Sequence, residues 1–401
     1  MQDLRISQRI VTRIATVSGT GGSLLAQKKA VRNFWFDTLA FAIVVAFLMY
    51  VAWGMMEMSA PIGKLNQAPI SLEIGNLPEY AMRTTLRMLI AVLASLLFTL
   101  IYATAAAKSR KAGQIMVPIL DVLQSVPVLG YISFTLTGFI ALFPGSMLGV
   151  ECAAIFAIFT SQAWNMTFSL YQSLKTVPGE MDEAASVFRL SGWQKFWKME
   201  LPFAMPGLVW NTMISMSGGW FFVVASEAIT VGNQKITLPG IGSYIAMAIE
   251  QRDLGAIGWA IATMTVVILL YDQLLFRPLV AWSDKFRYEM TASQEAPYSW
   301  VRNLFLKSRY ARSLFMPLAW LANKAMHLPF PRPSGAARSI SPKEARIIDT
   351  LWYVLLTMAG CVAVWQVMLF LSTSVTFSEL MHVLLLACIT LLRVMVLIAL
   401  A

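Results

Sequence analysis

Residue types that catalyse reactions or bind metals are scarce in this sequence and widely separated. The two histidines, His327 and His382, are far apart, and Cys152, Cys361 and Cys388 each lie singly in an apolar run. This spacing favours neither a zinc site, nor a disulfide framework, nor histidine-based catalysis. The phosphate-loop pattern G-x-x-x-x-G-K-[ST] does not occur in the sequence. We therefore expect no catalytic residue, no cofactor and no metal. If the protein takes part in an ATP-driven process, we expect another subunit to hydrolyse the ATP.

Polar side chains inside long apolar runs form a second group of candidate functional residues. Asp121, Gln124 and Ser125 lie beside Pro118 and Pro127, and prolines leave backbone groups free to face a pathway. A charge at the centre of a bilayer costs about 2.5–3.5 kcal/mol on insertion scales, so such a residue needs an explanation. We treat the three polar residues as candidates for lining a translocation path. Hydrogen bonding between helices is the alternative.

Three charged residues lie near the ends of apolar runs. Arg83 and Arg87 are one helical turn apart and form a pair that either attracts an anion or extends to the lipid headgroups. Glu227 ends another run, where it acts either as an outer gate or as the structural partner of an arginine or a backbone amide. Arg87 and Glu227 join Asp121, Gln124 and Ser125 as translocation-path candidates.

A polar segment at residues 176–202 has the pattern of two short helices. Pro178 suits a helix start, and the acidic residues that follow it suit the positive end of the helix dipole. Ser191-Gly-Trp-Gln194 has the form of a capping box for a second helix, and Pro202 marks its end. Ala184 and Ala185 leave a shallow place that another protein can approach closely. An ordinary solvated loop is the alternative.

The composition indicates that these residues are positioned by helices in a membrane. Of the 401 residues, 58% are hydrophobic and 13% are charged, against about 25% charged residues in an average soluble domain. A spanning helix needs roughly 20 apolar residues. Runs of that kind occur at residues 34–58, 82–107, 115–143, 147–170, 204–225, 257–280 and 347–371, and an eighth begins near Met381. We predict an all-α, polytopic membrane helix bundle.

The distribution of Lys and Arg predicts the orientation of the bundle. Basic residues are concentrated in residues 1–33, after the second, fourth and sixth runs, and up to Arg346, whereas the alternate loops are poor in them. Under the positive-inside rule, the N-terminal arm and the 176–202 segment are therefore cytoplasmic. The excess of 31 Lys and Arg over 21 Asp and Glu is explained by this bias, so no nucleic-acid partner is expected.

Two short matches predict an internal repeat. Asp349-Thr-Leu351 matches Asp37-Thr-Leu39, and Thr390-Leu-Leu-Arg393 corresponds to Thr84-Thr-Leu-Arg87 at a similar distance onward. We predict four regions: a cytoplasmic arm at 1–33, a six-helix domain at 34–290, a cytoplasmic amphipathic segment and linker at 291–346, and the start of a second, incomplete copy at 347–401. We also expect the chain to be a piece of a longer protein.

The 176–202 segment resembles the EAA loop in permease subunits of bacterial ABC importers. That pattern is Glu-Ala-Ala, three residues, Gly, nine residues, a hydrophobic residue, one residue and Leu-Pro. The matching positions are Glu183-Ala184-Ala185, Met199, Leu201 and Pro202. Arg189 departs from the pattern because it occupies the glycine position, with Gly192 three residues later. This difference affects the predicted angle between the two short helices.

The resemblance extends over residues 35–290 and is greatest to permeases of the nitrate, sulfonate and taurine type, in which a duplicated anion permease is known. It rests also on Gln124-Ser-Val-Pro127, Trp220 through Ser226-Glu227, and Leu238-Pro-Gly-Ile-Gly242. It implies a type I importer permease (MetI-like) fold in the bacterial inner membrane. The residues it assigns to ATPase docking are Glu180, Asp182, Glu183, Ala184, Ala185, Arg189, Gly192, Leu201 and Pro202.

The resemblance also implies partners: a dimeric ABC ATPase, a periplasmic or lipid-anchored substrate-binding protein, the lipid bilayer and a small anionic solute. An ion-coupled secondary transporter is the alternative function, and it predicts paired intramembrane acids or broken helices in both halves. A membrane anchoring protein without a pathway is a third possibility. Neither of these two accounts for the segment around Glu183.

Overall fold

The computed structural model describes residues 34–59, 70–126, 128–231, 234–287, 298–327, 342–374 and 376–400. The chain divides into two compact units between Phe330 and Pro331. The predicted N-terminal arm at 1–33 and the proline cluster near position 331 lie outside the described residues.

The first unit contains thirteen described α-helices. They are α1 Phe34–Met58, α2 Leu77–Lys108, α3 Arg110–Ser125, α4 Val128–Leu142, α5 Met147–Lys175, α6 Gly179–Val187, α7 Gly192–Lys195, α8 Leu201–Glu227, α9 Ile241–Glu250, α10 Leu254–Tyr271, α11 Arg277–Ser283, α12 Trp300–Lys307 and α13 Arg309–Met326. Single π-helical turns at Phe196–Glu200 and Asp272–Phe276 join α7 to α8 and α10 to α11.

One small hairpin interrupts the helices of the first unit. Strands β1 Ala228–Val231 and β2 Gln234–Thr237 pair antiparallel, with Ala228 opposite Thr237. The hairpin follows the end of α8 and leads into α9, so it is part of the connection predicted to lie on the outer side.

Five helical stretches of the first unit are long and apolar enough to cross a membrane, which confirms the predicted helix bundle. They are Asp37–Met58, Ile74–Lys108, Met147–Lys175, Gly192–Glu227 and Leu254–Phe286. Long apolar runs form these helices because a backbone in lipid must satisfy its own hydrogen bonds.

The predicted third span, residues 115–143, is wrong as a single helix. Two shorter helices, α3 and α4, replace it, and α3 ends at Ser125 while its C-cap Val126 is extended. Proline explains the break, because the residue before a proline is driven away from the helical conformation and Pro127 follows Val126.

The second unit contains the described helices α14 Pro342–Ser374 and α15 Phe377–Leu400. Asp349–Leu369 and Phe377–Leu400 are each long and apolar enough to span a membrane. These helices include both repeat matches, Asp349-Thr-Leu351 and Thr390-Leu-Leu-Arg393. A second copy of the bundle stays a prediction.

The core of the first unit is formed by α2, α5 and α8. Met88, Ala91, Ile158, Met216 and Val223 are buried where these helices meet. Polar side chains add hydrogen bonds between the helices: Gln162 Nε2 lies 3.2 Å from Met88 Sδ, and Asn165 Nδ2 donates to Ser215 Oγ at 3.0 Å. The three helices therefore form a continuous packed body between the two sites described next.

Candidate functional site: a docking loop and a buried charge cluster

The docking loop, residues 176–202, folds as two short helices joined by a tight turn. Helix α6 ends in a Schellman motif, in which Leu190 N–H donates to Ala185 O and Arg189 N–H donates to Ser186 O, both at 3.0 Å. Arg189 has φ 51°, the left-handed conformation that normally favours glycine. Arg189, at the position that the resemblance assigns to glycine, therefore adopts a backbone conformation that glycine favours, and the turn forms without a glycine there.

The predicted capping box at the start of α7 is confirmed. The Ser191 hydroxyl accepts from Gln194 N at 3.2 Å, and the Gln194 side chain accepts from Ser191 N at 3.1 Å. Gly192, the first residue of α7, is exposed, and a Cβ added there would meet open space. The capping pair thus fixes the direction of α7 as it leaves the turn.

A chain of ion pairs connects the docking loop to the membrane helices. Asp182 on α6 pairs with Lys195 on α7 at 2.7 Å, and Lys195 also lies 3.4 Å from the carboxylate of Glu200. Glu200 is buried and pairs with Lys108, the last residue of α2. Leu201, buried, and Pro202 then begin α8. The two short helices are therefore held to each other and to the ends of two long helices. The prediction that Pro202 ends a helix is wrong: the helical stretch continues from Gly192 to Glu227, because a proline is tolerated in the first turn of a helix.

The docking loop exposes an apolar face on α6. Ala184, Val187 and Phe188 have the i, i+3, i+4 spacing that places residues on one side of a helix. Val187 is 78% exposed and Phe188 is 75% exposed, whereas Ala185 is buried. Glu180 and Glu183 are exposed beside this face, whereas Asp182, also exposed, lies on the opposite side of α6, where it pairs with Lys195. We call Ala184, Val187 and Phe188 the docking face.

A cluster of buried charges lies at the opposite end of the long helices. The Arg87 guanidinium on α2 makes a bidentate pair with Glu151 on α5, at 2.6 and 2.7 Å. Its remaining NH group donates to Glu227 at 2.7 Å and to Pro239 O at 3.0 Å. The three charged side chains are at most 1% exposed. We call Arg87, Glu151 and Glu227 the charge cluster.

Glu227 also joins the charge cluster to the start of α9. Its carboxylate accepts from Thr84 Oγ1 and from Gly242 N, each at 2.6 Å. A Cβ on Gly240 would come within 2.3 Å of the Glu227 carboxylate, and one on Gly242 within 2.2 Å of Val224 O. The glycines of Leu238-Pro-Gly-Ile-Gly242 therefore allow the backbone to approach the carboxylate closely.

The predicted site residues divide between three places. Arg87 and Glu227 come together in the charge cluster, enclosed rather than extended to the headgroups. Arg83 separates from Arg87 and pairs with Glu57 at 3.1 Å and Glu79 at 2.8 Å. Asp121, Gln124 and Ser125 lie apart from the cluster, exposed on the surface of α3.

Sequence reasoning missed Glu151 and Glu200. Glu151 lies in the first turns of an apolar span, and an acid in that position is itself a signal because it needs a partner. Glu200 comes directly before Leu201-Pro202 and follows two basic residues, Lys195 and Lys198. Identifying their partners required the packing of helices that are distant in sequence.

The docking loop and the charge cluster are connected by the same helices. Arg87 and Lys108 are both on α2, and 21 residues at 1.5 Å per residue separate them by about 32 Å. Glu151 and Glu227 are likewise on α5 and α8, whose other ends border the docking loop. This distance is close to the thickness of the hydrocarbon core, about 30 Å.

Comparison with known proteins gives a family match over the central part of the chain. Residues 95–277 match the model described as "Binding-protein-dependent transport system inner membrane component". The matched range contains the docking loop, Glu151 and Glu227, and begins just after Arg87.

Curated relatives each match less than half of this chain. The chain is 25% identical over 178 residues to the bicarbonate transport system permease protein CmpB of Synechococcus elongatus, covering 44% of this chain and 58% of the relative. It is 28% identical over 162 residues to the nitrate import permease protein NrtB of Leptolyngbya laminosa, covering 40% and 53%. A glycine betaine/carnitine transport permease protein, GbuB of Listeria monocytogenes, is 29% identical over 173 residues, covering 42% and 54%.

The alignments thus span little more than half the length of these relatives. Residues 95–277 therefore resemble the inner membrane component of binding-protein-dependent transport systems, and the chain resembles ABC importer permeases, among them those for bicarbonate and nitrate and one for glycine betaine.

Proposed function

We propose that this chain is the transmembrane permease subunit of an ABC importer that moves a small anion, of the bicarbonate, nitrate, sulfonate or taurine kind, across the bacterial inner membrane. A separate dimeric ATPase binds the docking loop from the cytoplasm, where the N-terminus also lies. A periplasmic or lipid-anchored binding protein delivers the solute on the other side.

The docking face is the observation that carries the proposal. Two large apolar side chains, Val187 and Phe188, are exposed at the tip of a polar loop, where leaving them in water is unfavourable. Glu180 and Glu183 lie beside them, and the ion pairs of Lys195 with Asp182 and Glu200 hold the loop firmly. A rigid, apolar, partly acidic projection suits insertion into a groove of a partner protein.

The packing suggests how force would reach the solute path. A displacement of the docking loop is transmitted to α2 and α8 because Glu200 and Lys108 tie the loop to the ends of these helices. The same helices, together with α5, meet at the charge cluster about 32 Å away. Packed helices move as rigid bodies rather than deforming continuously. The docking loop would therefore tilt α2, α5 and α8 together, with the cluster keeping their outer ends joined.

The exposed side of α3 is the candidate lining of the path. Asp121, Gln124 and Ser125 lie there beside exposed Val122, and a second permease domain facing α3 would enclose them. The names of relatives that transport bicarbonate and nitrate support an anionic solute, while the relative named as a glycine betaine/carnitine permease makes a betaine the alternative solute.

The experiment is ATP-dependent uptake by proteoliposomes that contain the complete importer with its ATPase and binding protein. Ala184→Asp places a charge on the docking face, and we expect it to abolish uptake and ATPase co-purification while the chain still inserts in the membrane. Ser186→Asp adds the same charge on the other side of α6, and we expect uptake to continue. Equal uptake by Ala184→Asp and wild type would refute the docking proposal.

The solute class is tested in the same vesicles. Labelled bicarbonate, nitrate and an alkanesulfonate, each with a net negative charge, are compared with the zwitterion glycine betaine, and the proposal expects that only the three anions stimulate ATP hydrolysis. Stimulation by betaine alone would replace the anion assignment. Uptake driven by an ion gradient without ATP would favour the ion-coupled secondary transporter.

A further inference from the structure

Helices α12 and α13 connect the cytoplasmic end of α1 to the docking loop. At one end, buried Ser308 donates to Asp37 Oδ1 at 3.0 Å, and Leu304 packs against Ala40 with Ile43 and Phe305 beside it. Asp37 and Ala40 are in the first turns of a membrane-spanning helix. These contacts fix the start of α13 at the level where α1 enters the membrane.

The other end of α13 bonds to the docking loop. Trp193 Nε1 donates to Ala325 O at 2.9 Å, and Gln194 Nε2 donates to His327 O at 3.4 Å. Carbonyl groups in the last turn of a helix have no intrahelical donor, so these bonds supply partners. A helix of 18 residues is about 27 Å long. Helix α13 therefore bridges from the end of α1 to α7.

The charge of this segment is entirely positive. Residues 300–326 contain Arg302, Lys307, Arg309, Arg312 and Lys324 and no Asp or Glu. Positions 309, 312, 316, 320 and 324 follow one helical stripe of Arg, Arg, Met, Trp and Lys. Met316 and Trp320 are exposed, and Lys324 Nζ lies 5.0 Å from the centre of the Trp320 ring.

We propose that this stripe of α13 binds the anionic headgroups of the cytoplasmic leaflet, so that α13 is a membrane-surface helix that positions the docking loop. Tryptophan prefers the headgroup level, and clustered basic residues bind anionic lipid surfaces. The contacts with α1 already hold the helix at that level. The lipid contact itself does not depend on the transport function, whereas its effect on the docking loop rests on the proposed function.

The consequence is that the lipid composition determines how firmly the docking loop is held. When the stripe is bound to anionic lipid, the C-terminal carbonyls of α13 hold Trp193 and Gln194, and with them α7. When the lipid surface is neutral, this restraint weakens. ATP hydrolysis by the complete importer is then expected to depend on the anionic lipid content of the membrane.

The direct test measures how deep α13 lies in the membrane. The full chain, with Cys152, Cys361 and Cys388 replaced by Ala and a spin label attached through Leu321→Cys, is placed in nanodiscs of phosphatidylcholine with or without phosphatidylglycerol. We expect phosphatidylglycerol to raise the accessibility of the label to oxygen relative to a water-soluble nickel complex. Arg312→Gln with Lys324→Gln should remove this rise, because each cation contributes roughly fivefold to binding.

A matched pair of cations provides the control. Arg110→Gln with Lys175→Gln removes the same charge from other cytoplasmic helix ends and should leave the rise intact. An accessibility ratio that is equal in both lipids would overturn the proposal. Two other results would also overturn it. Immobilisation of the label only when the ATPase is added would show that the ATPase covers the stripe, and spin–spin broadening would show that a second copy of the chain covers it.

The link to the docking loop is tested with Trp193→Phe in the complete importer. Phenylalanine keeps a ring against Trp197, which is 5.5 Å away, but cannot donate to Ala325 O. We expect ATP hydrolysis to lose its dependence on phosphatidylglycerol while the label at position 321 keeps it. Trp210→Phe, at an exposed position on α8, should change neither. Lipid-dependent hydrolysis that persists in Trp193→Phe would overturn the link. If no ATPase binds the chain, the spin-label result still decides the lipid contact.

Discussion

Two arginines of the first unit occupy unfavourable positions that neighbouring groups stabilise. Arg189 adopts a left-handed backbone conformation, which costs a non-glycine residue about 1–2 kcal/mol. Arg87 is completely buried but receives two carboxylates. In both cases the position is tolerated because neighbouring groups supply the missing hydrogen bonds or charge.

Substitutions at Arg189 test the conformation of the turn. Arg189→Gly fits φ 51° without strain, so we expect unchanged ATPase co-purification and a thermal midpoint within about a degree or two of wild type, since the strain removed roughly offsets the added chain entropy. Arg189→Val has a branched Cβ that disfavours this region. We expect this variant to lose most of its bound ATPase. Equal binding by the two variants would contradict the role of the turn.

Removing Arg87 tests the energetic role of the charge cluster. Arg87→Met leaves Glu151 and Glu227 buried without their cation, and breaking a buried pair costs about 3–5 kcal/mol. We expect a large fall in the thermal midpoint of the purified chain, measured by scanning fluorimetry. Arg87→Met with Glu151→Gln should recover part of the loss, because the unpaired charge is smaller.

The control for Arg87 is an exposed ion pair. Arg277 pairs with Asp272 at 3.0 Å, and both side chains are largely in contact with solvent. Arg277→Met should cost less than about 1 kcal/mol. If Arg87→Met were as mild as Arg277→Met, the cluster would not be holding α2, α5 and α8 together.

The sequence predicted the members of the charge cluster only in part. The sequence indicated that Arg87 and Glu227 needed explanations, and an arginine was among the partners considered for Glu227. It did not indicate that Glu151 completes the cluster, because Arg87 and Glu151 are 64 positions apart. Their meeting depends on the packing of α2 against α5, which no local pattern encodes.

At the scale of elements, apolar run length predicted helices well and predicted breaks poorly. The first span has the predicted bounds, Phe34–Met58, because charge and turn formers border it. The prediction of a single third span failed because residues 115–143 are mostly apolar, and run length does not distinguish one helix from two that meet at a proline. Pro178, the acidic residues after it and the capping box at Ser191-Gly-Trp-Gln194 predicted α6 and α7 because capping residues act locally.

Glycine substitutions test the joint between α8 and α9. Gly242→Ala would place a Cβ 2.2 Å from Val224 O, and accommodating it should cost about 1–3 kcal/mol in stability. Gly258→Ala, on α10 with open space around it, should instead be neutral or stabilise the helix by up to about 1 kcal/mol. The thermal midpoints of the two variants should therefore move in opposite directions, and a fall of equal size in both would contradict the close packing.

At the scale of the whole molecule, three long helices connect an exposed loop at one end to a buried charge cluster at the other. The loop has an apolar face that suits a partner, and the cluster ties the helix ends together. Under the proposed function, we expect this arrangement to convert a push on the docking loop into a concerted tilt of α2, α5 and α8. The central claim is therefore that a cytoplasmic ATPase binds the docking face.

The most direct measurement of that claim is site-specific photocrosslinking in native membranes. A photoreactive amino acid at Phe188 should give an adduct between this chain and an ATPase subunit, with a yield that changes when ATP is added. The same group at Leu254, which is highly exposed beyond the opposite ends of the helices, should give none. Absence of the Phe188 adduct, or an equal ATPase adduct from Leu254, would contradict the account.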